Sequence, residues 1–197
     1  MIDEKGRIEI IEGHDPSSYF WIKPVNVKDT ECDTDNWDNI IEFNDMEVSI
    51  EEDNIVAYLY EIFLKFYDNK LIYNINRGKN HDEMWNERYN GSEFEYYLTH
   101  NFYTMESIEN MIKYIYKVIE LLKDDYDNKE IDYLKKHYSY LAICLNHDVL
   151  PEEELNKIVE AHKDMIIDFY ERFNNYLENM VKKGKIKGYK LISIMGP

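Results

Sequence analysis

Apolar residues along the 197-residue chain recur with two different periods, and the switches between them divide it into elements. Ile55, Leu59, Ile62 and Phe66 fall three or four residues apart, as do Met105, Ile108, Ile112, Ile115, Ile119 and Leu122. Ile131, Leu134, Tyr138, Leu141 and Leu145 form a third set. Each set places one apolar stripe on a helix. Thr104, immediately before the second set, is an N-cap residue type. A fourth and longest helix is predicted from Pro151, which suits a first turn, followed by Glu152, Glu153 and Glu154 at the positive end of the dipole. Its stripe holds Leu155, Ile158, His162, Met165, Phe169, Tyr176 and Met180, and it is predicted to stop near Lys182-Lys183-Gly184.

Alternation with a period of two surrounds these helices. Arg7 to Ile11 and Tyr19 to Val27 read as strands, and Ile41 to Ile50 alternates on both sides of Asn44-Asp45, which predicts a hairpin. Leu71, Tyr73 and Ile75 alternate more weakly. Phe94, Tyr96, Leu98, His100 and Phe102 give a central strand at about 94–103, and Tyr189 to Met195 a C-terminal strand that would join a sheet begun at the N-terminus. Asn80 followed by Glu83 resembles a capping box, so His81 to Tyr89 reads as a short surface helix bearing Trp85. The order of elements predicts an α+β fold: a mostly antiparallel sheet with N-terminal hairpins, packed against about four amphipathic helices. With no repeat, low-complexity tract or Pro/Gly/Ser linker, residues 1–197 are expected to form a single domain.

Composition narrows the function. The chain has 40 acidic residues against 23 Lys and Arg, a formal net charge of −17. Ile, Asn, Lys and Tyr, all with AT-rich codons, make up 80 of the 197 residues, so the 18 tyrosines alone do not mark a binding surface. The same codon bias would raise Lys, so the acidic excess has another cause. It also has an address. Residues 29–53 hold eleven acids and no Lys or Arg, whereas residues 181–197 hold five Lys and no acid, leaving residues 1–180 at −22. Such a body repels phosphate backbones and anionic lipid, so neither nucleic acid nor membrane is an expected partner. Cys32 and Cys144 have no close partner cysteine, Met1 to Arg7 is no secretory signal, and the longest apolar run, Tyr138 to Leu145, is too short for a bilayer. A cytoplasmic protein is expected.

Catalytic motifs are absent from the sequence. There is no GxSxG, phosphate loop or nucleotide fingerprint, and the six histidines lack metal spacing, so no cofactor or metal is expected. Glu31, Asp33, Asp35, Asn39 and Glu42 fall at the ligand positions of an EF-hand loop, but Asn36 replaces the glycine and no flanking helices are predicted. A solvated acidic loop is the better reading. His100, on the apolar side of its strand, and His162, on the apolar stripe of the long helix, read as hydrogen-bonded core residues or as acid-base groups of a dispersed site.

The remaining signal is acid mixed with tryptophan. Trp37 stands among Asp33, Asp35 and Asp38 with Glu42 nearby, and Trp85 stands with Glu83 and Glu87. Indole anchors and carboxylate steering suit a basic protein partner. The overall character resembles that of bacterial immunity proteins that sequester toxic nucleases, which implies a binding protein that neutralises a basic toxin rather than an enzyme. Two alternatives stand beside it: an enzyme built on His100, His162 and nearby carboxylates, and a subunit of an intracellular assembly.

Overall fold

The computed structural model describes residues 3–15, 18–28, 40–68, 71, 100–146 and 149–196. Six strands, β1 (Ile10–Glu12), β2 (Tyr19–Val27), β3 (Ile40–Glu42), β4 (Val48–Glu51), β5 (His100–Thr104) and β6 (Leu191–Met195), form one antiparallel sheet in the order β1-β4-β2-β6-β5. β2 is its axis. One side of β2 pairs with β4 along Tyr19–Ile22 and with β3 along Val25–Val27; the other pairs with β6 along Trp21–Val25. The C-terminal strand thus joins the sheet begun at the N-terminus, as expected, by pairing with β2, and β5 closes the far edge through His100↔Met195 and Phe102↔Ser193.

The predicted hairpin between Ile41 and Ile50 is not formed. β3 and β4 lie end to end along β2, joined by a 3-10 turn, Asn44–Met46, with Phe43 N–H bonded to the Pro24 carbonyl at 2.9 Å. Alternation dictates which face a side chain takes, and leaves open which strand is its neighbour. The central strand is described only as His100–Thr104; residues 94–99, the alternation at 71–75 beyond Leu71, and the helix expected at 81–89 lie outside the described residues.

The helical segment after β4 runs α1 (Glu52–Asn54), a π-helical turn Ile55–Leu59 and α2 (Tyr60–Phe66). α3 (Met105–Asp124) starts where Thr104 accepts the Ser107 N–H at 3.0 Å, the expected cap. α4 (Asp132–Asn146) follows, and α5 (Glu152–Lys187) runs 36 residues. α5 continues past the predicted stop. Its true C-cap is Gly188, left-handed at φ 82°, while Gly184 lies inside the helix against the sheet. A Cβ on Gly184 would come within 2.9 Å of Met105 Cε and 3.4 Å of Pro24 Cβ, so the glycine permits close helix–strand approach rather than chain reversal. No helix of the described residues is long and apolar enough to cross a membrane.

Sheet and helices share one core. Phe20, Ile22, Ile50, Tyr103, Ile192 and Ile194 join Ile115, Phe169, Phe173 and Leu177 in it. The opposite side of the sheet is buried as well, around a smaller cluster of Val25, Ile40, Phe102 and Leu191. This second side also carries charge.

Candidate functional site

Lys23 stands in β2 between two apolar residues that the sequence treats as core, Ile22 and Pro24. Alternation turns it away from the helices with Trp21 and Val25. The register then assembles its neighbours: Ser193 lies directly across on β6, Glu42 faces Val25 from β3, and Glu47 precedes Val48, the partner of Ile22. Lys23 Nζ donates to Glu47 Oε2 at 2.5 Å and lies 3.0 Å from Glu42 Oε1. Lys23 is 5% exposed and Glu47 6%. Burial of charge on this scale is tolerated only when each ion is paired.

The cluster continues in both directions across the sheet. Toward β1, the other Glu47 oxygen lies 3.4 Å from His14 Nδ1, whose ring stacks on Trp21 with centroids 4.2 Å apart. The chain around His14 is anchored by Trp21 Nε1, which donates to the Asp15 carbonyl at 2.9 Å, and by Ser49 Oγ, which donates to the Gly13 carbonyl at 2.6 Å. Toward β5, His100 Nε2 is 4.0 Å from Glu42 Oε1, and His100 Nδ1 is 2.6 Å from Ser193 Oγ. Burial, reinforced by the Lys23 ammonium, pushes the His100 pKa down to about 4, so the ring is neutral at neutral pH.

Serine, histidine and a carboxylate are the residue types of an acyl-transfer relay. Their placement argues against that chemistry. Ser193 is 1% exposed in the middle of β6, which is flanked by β2 on one side and β5 on the other. Lys23 is spent on two carboxylates, and a neutral His100 provides no charge to Glu42. The arrangement ties five strands together through internal ion pairs and hydrogen bonds.

Of the residues expected to bind a partner, Asp33, Asp35, Trp37, Asp38, Glu83, Trp85 and Glu87 lie outside the described residues. Glu42 lies within them, on a strand and bonded to Lys23, where the EF-hand pattern would make it the last ligand leading into a helix. Of the eleven acids in residues 29–53, Glu47 is therefore buried and Glu42 half-buried, both paired with Lys23. His162 also departs from expectation. It is exposed on α5, its Nδ1 2.9 Å from the Ile158 carbonyl oxygen and its ring stacked on Tyr138. His14 and Glu47 were not singled out by sequence reasoning; the available signal was Lys23, a lone cation inside an apolar strand.

Next to Glu47 the surface opens. The turn Asn44–Met46, β1 and α5 enclose a groove of about 420 Å³ whose walls include Glu12, Asp45, Glu47, Asn179 and Lys183. Glu12 and Asp45 are exposed there, so carboxylates outnumber the one ammonium. A second polar network lies between helices, at the π turn. Tyr170 Oη donates to the Tyr58 carbonyl at 2.6 Å and, having one proton, accepts from Tyr133 Oη at 2.6 Å. Burial raises the pKa of both phenols. The Tyr170 hydroxyl bonds a carbonyl of the irregular turn, and Tyr133 donates to that hydroxyl in turn. No protein-family model, curated protein or solved structure matches this chain.

Proposed function

We propose that this chain is an acidic binding protein that acts in the bacterial cytoplasm and neutralises a basic protein partner, in the manner of immunity proteins that sequester toxic nucleases. The observation that carries this reading is the run of eleven acids without a base in residues 29–53, joined by the open groove in which Asp45 and Glu12 meet. Lys23 offsets part of that charge internally, and the exposed remainder, Asp45 and Asp53 among the described acids, is free to steer a cation. Glu47, paired with Lys23, lines the groove, and the exposed acids meet the partner.

The test uses the purified basic protein encoded beside this chain. Calorimetry is expected to give a tight complex whose affinity falls at least about tenfold between about 50 and about 500 mM salt. Changing Asp33, Asp35, Asp38 and Asp45 to Asn is expected to slow association in the same sense. A neighbour that does not bind, or a complex indifferent to both salt and the Asn changes, would sink the proposal. The alternative, a dispersed-site enzyme using His100, Ser193 and Glu42, would require Ser193, 1% exposed in the middle of β6, to be reachable by substrate. Labelling of Ser193 by a fluorophosphonate would bring that reading forward.

A further inference from the structure

The lysine-rich end of the chain has no role in a reading built on carboxylates. It borders an apolar groove of about 620 Å³ between α3 and α5, at the opposite sign of charge from the rest of the molecule. The floor is Ile112 and Val181, and the ring of Tyr116, 42% exposed, forms a wall. Lys113, Lys182 and Lys185 stand on the rim with two carboxylates, Glu109 and Glu178.

Both carboxylates are already engaged. Glu109 takes Lys185 at 2.5 Å, and Glu178 accepts the Tyr116 hydroxyl at 2.9 Å. Lys113 donates to a neutral group, the Asn110 side-chain oxygen at 3.3 Å. Three ammonium groups against two carboxylates leave the rim net positive on a chain of net charge −17. One turn past Lys182 on the same side of α5, Ile186 is 73% exposed.

We propose that this groove docks an amphipathic helix of a partner protein, apolar on the face it buries and lined with Glu or Asp along its flanks. The groove lies between two helices already packed side by side, so a third helix completes a three-helix arrangement. From Glu178 to Lys185 α5 advances about 10 Å, which is about two turns and matches anchors spaced i, i+3 or i+4, and i+7. A second copy is a poor occupant, because a two-fold contact through this groove would set one lysine rim against another. The proposal is independent of the acidic-face reading, and either can fail alone.

The experiment measures fluorescence anisotropy of a labelled synthetic helix of about 18 residues, with Leu at the anchor positions and Glu along its flanks, titrated with the full-length chain. A twin peptide carries Lys in place of each Glu. The Glu helix is expected to bind and the Lys helix to bind more weakly, against the sign of the chain's net charge. K113E/K182E, at two surface positions, is expected to weaken the Glu helix at least tenfold and to favour the Lys helix. Ile186→Asp, which removes exposed apolar surface without touching the core, is expected to weaken it several-fold. The proposal is overturned if the Lys helix binds wild type as well as the Glu helix does, if neither binds, or if K113E/K182E leaves binding unchanged. A dimer in light scattering that K113E/K182E dissociates would assign the groove to a second copy and overturn it too.

Discussion

Phe20 and Ile22 point from β2 into a core they share with Phe169 and Phe173, whereas Trp21 and Lys23 point from the same strand into a layer of ion pairs and a histidine. Both sides are buried, but they fail differently. On the helix side the polar side chains within the core, Tyr170 and Asn174, are uncharged, as is the half-buried Tyr133, and the buried Lys135 at the margin pairs with two exposed acids, Asp127 and Asp132. There the loss of a side chain is a local loss of contact. On the far side a cation and two carboxylates depend on one another, so the cost of losing one is set by what it leaves behind. A sheet of this kind is not an inside and an outside; it is an apolar inside and an ionic inside.

The sharpest break in this contrast is Lys23→Met, which leaves the Glu47 carboxylate buried without its counter-ion. Urea denaturation is expected to show a loss of about 3–5 kcal/mol. Combining Lys23→Met with Glu42→Gln and Glu47→Leu is expected to return the protein to within about 1 kcal/mol of wild type, because no orphaned charge remains. Phe20→Ala on the helix side is expected to cost a similar 3–5 kcal/mol or so, and no second substitution on the far side is expected to restore it. A triple variant as unstable as the single one would show that the two sides differ in composition only.

Acid sharpens the same contrast. His100 has a folded pKa of about 4 against an ordinary 6.5, so below pH 6.5 the unfolded chain takes up a proton that the folded one refuses. Stability tied to this group is complete above pH 6.5 and is lost as pH falls toward 4. A gap of about 2.5 units at about 1.4 kcal/mol each gives a loss of about 3 kcal/mol. His137, whose pKa burial lowers despite Asp53, adds in the same direction. Comparing wild type with His100→Gln across pH 7.5 to 4 isolates the His100 share, since other carboxylates titrate in both; parallel pH profiles would remove His100 from the account.

The helices and the class of fold were legible because a stripe of apolar residues needs only one neighbour to be read. Thr104, the whole of β2 and the return of β6 to the N-terminal sheet follow from local pattern. The far side of the sheet was not legible, for a physical reason. Glu47 and Glu42 look like members of a surface acidic run, and only strand pairing over about 20 residues of separation brings them to Lys23. The glycine at 184 misled in the same way, since one residue type serves both a helix end and a close approach of backbones. His162 was misplaced because helical spacing puts it on one stripe with Leu155 and Phe169 but does not show which positions along that stripe a neighbour covers.

The smallest expected effects lie on the helix side, and they test whether uncharged buried polar groups behave independently. Tyr133→Phe removes the proton that Tyr170 accepts but leaves the bond from Tyr170 to the Tyr58 carbonyl intact, so a cost of about 1 kcal/mol is expected. Asn174 is buried and donates to the Ile112 carbonyl at 3.1 Å, while its own side-chain oxygen has no partner. Ile112 sits in the middle of α3, where a helical carbonyl keeps its intrahelical bond when the amide is removed. Asn174→Leu is therefore expected to change stability by less than about 1 kcal/mol, with a gain favoured by the loss of an unsatisfied acceptor. The two substitutions together should be additive by thermal melting, in contrast to the strong coupling expected around Lys23. A large loss in Asn174→Leu would mean that this amide sets the register of α3 on α5, and the helix side would then hold a polar lock of its own.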